Sequence, residues 1–255
     1  AAAMSGLPAV TFTATATPAP PASLSAASAL AGEAAVGTTV GAAPTVQVRD
    51  AHGNAVAGVA VTFAAAGGGS VAGAAQVTNA QGVAAVSGWT LGTTPGLNTL
   101  TATVQGLAPV SFTWNARAGQ PASAAAASSI ALDGGAGSAV TTLPAVRVTD
   151  SFGNAVAGAA VQFALTGGGG TITGASAATD ANGVATLGSW TLPTQAGVVT
   201  LSAMAPPIAQ PVVFTATVSP GSPASLTVNG SNGQTAVAGS AVALAPSVLV
   251  RDQHG

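Results

Sequence analysis

Short runs in which every second residue is apolar recur along this chain, each stopped within a few positions by Gly, Pro, Asn or Asp. In "TVQVRD" the residues Val46 and Val48 share one face, and Val146 with Val148 and Val248 with Val250 repeat the pair. The intervening Gln47, Arg147 and Leu249 vary freely, as outward positions do. Val59, Val61 and Phe63 alternate in the same way, as do Ala159, Val161 and Phe163, and Val110 with Phe112. A period of two is that of a half-buried strand. "GNAVAG" supplies the Gly and Asn that a turn with positive φ requires, and "TNAQGVA" at Thr78 and "TDANGVA" at Thr179 predict a second turn before another strand. "SAAAASSIAL" from Ser123 is rich in Ala. Its counterpart "PASLSAASAL" follows a Pro-rich junction where a first strand belongs, so no helix is expected there.

The runs are themselves repeated. "VRDAHGNAVAGVAVTF" at Val48 returns as "VTDSFGNAVAGAAVQF" at Val148 and begins again as "VRDQHG" at Val250. "VTFTATATPAPPASL" at Val10, "VSFTWNARAGQPASA" at Val110 and "VVFTATVSPGSPASL" at Val212 mark the junctions. Two complete repeats follow, 19–118 and 119–220. Residues 1–18 read as the last strand or strands of a preceding repeat, and 221–255 as the first strands of a following one, a window on a longer array. The offset between the repeats grows from 100 at Asp50/Asp150 to 101 at Trp89/Trp190 and 102 at Phe112/Phe214, which places two single-residue insertions in loops. About seven short strands in about 100 residues predict an all-β fold of tandem immunoglobulin-like β-sandwich domains. The Pro-containing junctions predict an elongated, semi-rigid array.

Composition narrows the function. Charged residues make up 4% of the chain, net charge is −2, and Lys, Tyr and Cys are absent. With no basic stripe to neutralise phosphates, nucleic acid is not an expected partner. The absence of Cys removes disulfides and thiolate metal sites. "AAAMSGLPAV" lacks the basic and apolar regions of a signal peptide, and Gly, Pro, Ser or Thr interrupts every apolar stretch before the roughly 20 residues of a membrane helix. No membrane insertion is expected in this segment, and any secretion signal or anchor is expected outside it.

Candidate chemistry is sparse. His52 and His254 occupy one turn position that holds Phe152 in the second repeat, so neither is expected to act as a base or ligand. Asp50, Asp150 and Asp252 recur before Gly-Asn, with Asn54 and Asn154 in the complete turns. The expected role is turn formation, the carboxylate accepting nearby backbone N–H groups. Calcium is the alternative, but it needs about six to eight oxygen ligands, and the six acids of the chain are scattered. "GGGS" at Gly67 and "GGGG" at Gly167 lack a following Lys-Ser/Thr and read as loops. Trp89 and Trp190 are equivalent and are expected in the core, with a sugar-stacking platform as the alternative. Trp114, whose counterparts are Ala14 and Ala216, is the expected interdomain or intermolecular contact, together with outward Leu249. No catalytic residue and no cofactor is implied.

The order of a D-x-x-G-N turn, a Gly-rich loop, an N/D-x-x-G turn and a closing aromatic strand resembles the bacterial Ig-like repeat of the invasin and intimin type, often called Big-1. The resemblance covers essentially the whole chain. It implies an extracellular or cell-surface bacterial array, a stalk or an adhesin, whose partners are further repeats of the same chain. Outward Ala, Thr, Ser and Gly with almost no charge, and open sheet edges, add the expectation of self-association into a fibre or sheath, with Trp114 as a wedge. The alternative is an adhesin repeat that binds a host or surface glycan or protein.

Overall fold

In a computed structural model, residues 6–8 and 10–255 are described, and among them there are strands and no helix. The first repeat contains β1 (Pro21–Ala26), β2 (Ala31–Ala35), β3 (Thr45–Asp50), β4 (Ala60–Ala66), β5 (Ser70–Ala72), β6 (Ala75–Val77), β7 (Val83–Ala85), β8 (Gly88–Thr90), β9 (Gly96–Thr103) and β10 (Val110–Arg117). They form a sheet β1-β3-β7, a facing sheet β2-β10-β9-β4-β6 and a small ribbon β5-β8. The second repeat contains β11 (Ser123–Ala126), β12 (Ala131–Gly135), β13 (Ala145–Thr149), β14 (Ala160–Gly167), β15 (Thr171–Thr173), β16 (Ser176–Ala178), β17 (Val184–Thr186), β18 (Ser189–Thr191), β19 (Gly197–Met204) and β20 (Val212–Ser219). Its sheets are β11-β13-β17, β12-β20-β19-β14-β16 and β15-β18, the same plan. A last pair, β21 (Pro223–Val228) and β22 (Val248–Asp252), is antiparallel. Contacts divide the chain into two compact units, one ending at Arg117 and the other starting at Ala118.

Alternation decides which side chains meet between the sheets. Val46, Val48, Phe63, Leu100, Phe112 and Trp89 are buried in the first repeat, and Val146, Val148, Phe163, Leu201, Phe214 and Trp190 in the second. Each repeat holds ten strands against the expected seven or so. The difference has two sources. The first run of each repeat splits, so that β1 pairs antiparallel with β3 in one sheet while β2 pairs parallel with β10 in the other. The segment after the Gly-rich loop also forms β5, which pairs with β8 at the tryptophan, both of three residues and too short to display an alternation.

At the ends of the chain the outcome differs from expectation. Of residues 1–18, positions 1–5 and 9 lie outside the described residues, and 11–18 form no strand. Val248 and Val250, expected to face inward, are 59% and 53% exposed, because no facing sheet covers β21 and β22 among the described residues. Leu249 is half-buried, as is Asp252 at the end of the strand. With Thr194, Gln195, Ala196 and Pro220 it lines an open cleft of about 510 Å³.

Candidate functional site: a repeated carboxylate clasp and the tryptophan core

Asp50, Asp150 and Asp252 each sit at the end of a strand with one oxygen turned into the following turn and the other turned back to the start of the repeat. At Asp50, Oδ1 accepts the N–H groups of His52 (2.9 Å) and Asn54 (2.8 Å). Its Oδ2 accepts Nδ2 of Asn54 and the N–H of Ala19, both at 3.0 Å. At Asp150, Oδ1 accepts the N–H groups of Phe152 and Asn154, both at 2.9 Å. Its Oδ2 accepts Asn154 Nδ2 (3.0 Å) and the N–H of Gly119 (2.8 Å). At Asp252, His254 N–H (2.8 Å) and Gly221 N–H (2.7 Å) donate in the same two directions. The reach back is 31 residues each time. The turn is thus also a clasp that fixes where each repeat begins.

Asp50 and Asp150 are buried, and both carboxylates remain charged because donors surround them. The Asn54 amide, with backbone N–H groups of Ala19, Asn54 and His52 outweighing burial, holds the Asp50 carboxyl down at about 2. Burial pushes Asp150 up, but the Asn154 amide and the N–H groups of Gly119, Asn154 and Phe152 prevail and keep it below the usual carboxylate range. Gly221 N–H, then His254 N–H, lower Asp252. These oxygens are occupied by donors of the chain itself, and no group of three or more metal-ligating residues occurs among the described residues.

Sequence reasoning missed a second pair of internal polar ties. Thr78 and Thr179, both buried, donate to Val56 O (2.7 Å) and Val156 O (2.6 Å) and accept the N–H groups of Val59 (2.9 Å) and Ala159 (2.8 Å). Asn98, 1% exposed, accepts the Gly92 N–H at 2.8 Å and donates to Gly96 O at 3.2 Å. Its counterpart is Val199, and the counterpart of Gly92 is Pro193, which has no N–H to offer. Donor and acceptor are lost together in the second repeat.

Trp89 and Trp190 are fully buried and have no open face on which a sugar could stack. Trp114 requires a correction. It is 9% exposed and lies in the core of its own repeat, its ring edge-on to Trp89 with centroids 5.6 Å apart and planes at 73°. It is therefore not a wedge offered to a neighbour. Its place is made by Gly32, its partner in the parallel β2–β10 register, where a Cβ would lie 2.5 Å from Trp114 Cε2. The second repeat has Ala216 opposite Leu132 in the same register. Gly with Trp has become Leu with Ala.

The fold is that of immunoglobulin-like β-sandwiches. The solved structure of InvD from Yersinia pseudotuberculosis is similar to this chain, at 20% identity over 91% of this chain and 70% of that one, with a TM-score of 0.55. The Escherichia coli adhesin FdeC matches at 20% identity over 77% of this chain and 63% of its own, TM-score 0.48. Invasin, described as a bacterial integrin-binding protein, matches at 24% over 82% and 43%, TM-score 0.39. The chain thus spans less than two thirds of the FdeC and invasin structures. No family model and no curated protein matches it.

Proposed function

We propose that this chain is a non-enzymatic structural repeat segment of a long bacterial cell-surface or extracellular protein, the material of a stalk or of a filament body. The observation that carries this reading is the closing pair of each repeat. β2 runs parallel to β10 over Ala31–Ala35 against Thr113–Arg117, and β12 runs parallel to β20 over Ala131–Gly135 against Thr215–Ser219. In each pair one strand lies near the entry of the chain into the repeat and the other at its exit. Opposed pulls on entry and exit therefore slide parallel strands past one another and load all their hydrogen bonds at once. The carboxylate clasp lies in the same entry segment and ties it down at Ala19, Gly119 and Gly221. Both features suit a chain that bears tension along its length.

Self-association belongs to the same reading. It would use the sheet faces, which carry few charges beside the Glu33–Arg117 pair, and in the first repeat the edge strands β1 and β2, of six and five residues, rather than the three-residue edges β6 and β7. The test combines force spectroscopy on the chain with immunogold labelling of the native cell surface. Two unfolding events of high force are expected. Ala136→Pro, which deletes the N–H donated to Ser219 O at 2.8 Å, should weaken one of them alone. Label on surface stalks or filaments is expected. Recovery of the protein solely from the cell interior, or unfolding that is insensitive to Ala136→Pro, would refute the reading, and specific binding on a glycan array would favour the adhesin alternative.

A further inference from the structure

The Gly32/Trp114 and Leu132/Ala216 pairs occupy the point at which a repeat must choose its own strand. Trp114 lies 82 residues after Gly32 but only 18 before Leu132, and Ala216 lies 84 after Leu132 but only 18 before Gln234, the next residue at that position. The correct partner is therefore the distant one. Loop closure that scales as the three-halves power of length favours the wrong, following strand by about tenfold at each junction. Nor does chain geometry forbid it. The 13 residues from 118 to 130 between β10 and β12 meet the dozen or so that a parallel crossover needs.

We infer that the residue pairs at this register are keys that prevent each repeat from closing on the first strands of the next. At the junction after the first repeat, mispairing sets Leu132 against Trp114, where even a methyl group at Gly32 has no room. After the second, it sets Gln234 against fully buried Ala216 and brings an amide into a place that Leu132 fills with an apolar side chain. Before the first, it sets Gly32 against Ala14, and no side chain fills the core. A clash, a buried amide and a void give three different penalties to the same error. The hazard they oppose is exchange of strands between adjacent, nearly identical repeats.

The test uses the whole chain, which has no Cys. Thr113→Cys with Ala131→Cys reports the wrong pairing, since Thr113 is the register partner of Ala31 and Ala131 occupies the equivalent place in the second repeat. This reporter is placed in the native background and in Gly32→Leu/Trp114→Ala, which makes the first repeat match the second and so removes the key. Each protein is refolded from denaturant under oxidising conditions, and the cross-linked fraction is measured. In the matched background wrong closure should exceed correct closure by up to about tenfold, so the cross-linked fraction should rise above that of the native background. A second matched chain, Leu132→Gly/Ala216→Trp, removes the key with the opposite chemistry and should show the same rise. Equal cross-linking with and without the key would overturn the inference. Failure of both matched chains to fold cooperatively would overturn it too, because the two pairs would then not be interchangeable fillings of one site.

Discussion

Trp114→Ala empties the space between the sheets beside Trp89, and Gly32→Leu should refill it from the opposite strand. Trp114 is 9% exposed and makes the only aromatic contact with Trp89 among the described residues, so its truncation alone should cost about 3–5 kcal/mol. That is a large part of the about 5–15 kcal/mol by which domains are stable. For a domain of about 100 residues it lowers the melting temperature by at least about 12 °C. Gly32→Leu alone drives a side chain into a ring already 2.5 Å from a Cβ at that position and should cost about 1–3 kcal/mol or more. Additive effects would bring the double variant to a loss of about 4–8 kcal/mol. The second repeat carries this combination as Leu132 opposite Ala216, so the double variant should instead lie within about 1.5 kcal/mol of the native chain, as volume-conserving exchanges do. Urea unfolding followed by circular dichroism measures the cycle, and the transition of the untouched second repeat serves as the internal reference. A double variant no more stable than Trp114→Ala would refute the reasoning.

Asn98→Val should cost about 1–3 kcal/mol in urea unfolding by orphaning the buried Gly92 N–H, while Val199→Asn should find no donor in Pro193 and also destabilise. Thr179→Val keeps the shape but strips Val156 O and the Ala159 N–H of their partner, so a loss of about 1–3 kcal/mol and faster amide exchange at Ala159 are expected. Because the folded carboxyl of Asp50 titrates at about 2, below its unfolded value, the clasp should contribute fully above about pH 4 and fade as pH falls towards 2; melting temperature against pH should show this window, and Asp50→Asn should abolish the first repeat's share of it. His52→Phe should change stability by no more than about 0.5 kcal/mol, as Phe152 fills the equivalent exposed place.

What could be read from the sequence depended on how far apart the cooperating residues lie. Val46 and Val48 announce a strand because both halves of the signal lie within one run. Asp50 and Asn54 announce a turn for the same reason. The other half of the clasp left no trace, since the group 31 residues upstream is a backbone N–H of Ala19, Gly119 or Gly221 and requires no particular side chain. Trp114 was misplaced because its counterparts are Ala14 and Ala216, as though nothing in the fold needed it. The compensation is at Gly32 and Leu132, and it becomes visible only when the two positions are compared together across the repeats. Thr78 and Thr179 could have been found, since an identical Thr stands before each second turn.

Segment lengths follow from the same ties. Of the two insertions of the second repeat, both expected in loops, one lengthens the turn between β19 and β20, but the other falls within β14 as a bulge at Thr166, since the loops from β4 to β5 and from β14 to β15 both have three residues. By contrast, the segment from the start of a repeat to its clasp Asp has one length in all three cases. An added residue there would move the N–H of Ala19, Gly119 or Gly221 about 3.3 Å along an extended strand, beyond the reach of a hydrogen bond. It would also exchange the buried and exposed faces of β1 or β2 against their partners. A turn and a bulge absorb the added residues, paired interior positions change together, and the entry segment, held at both ends by its own backbone, keeps its length.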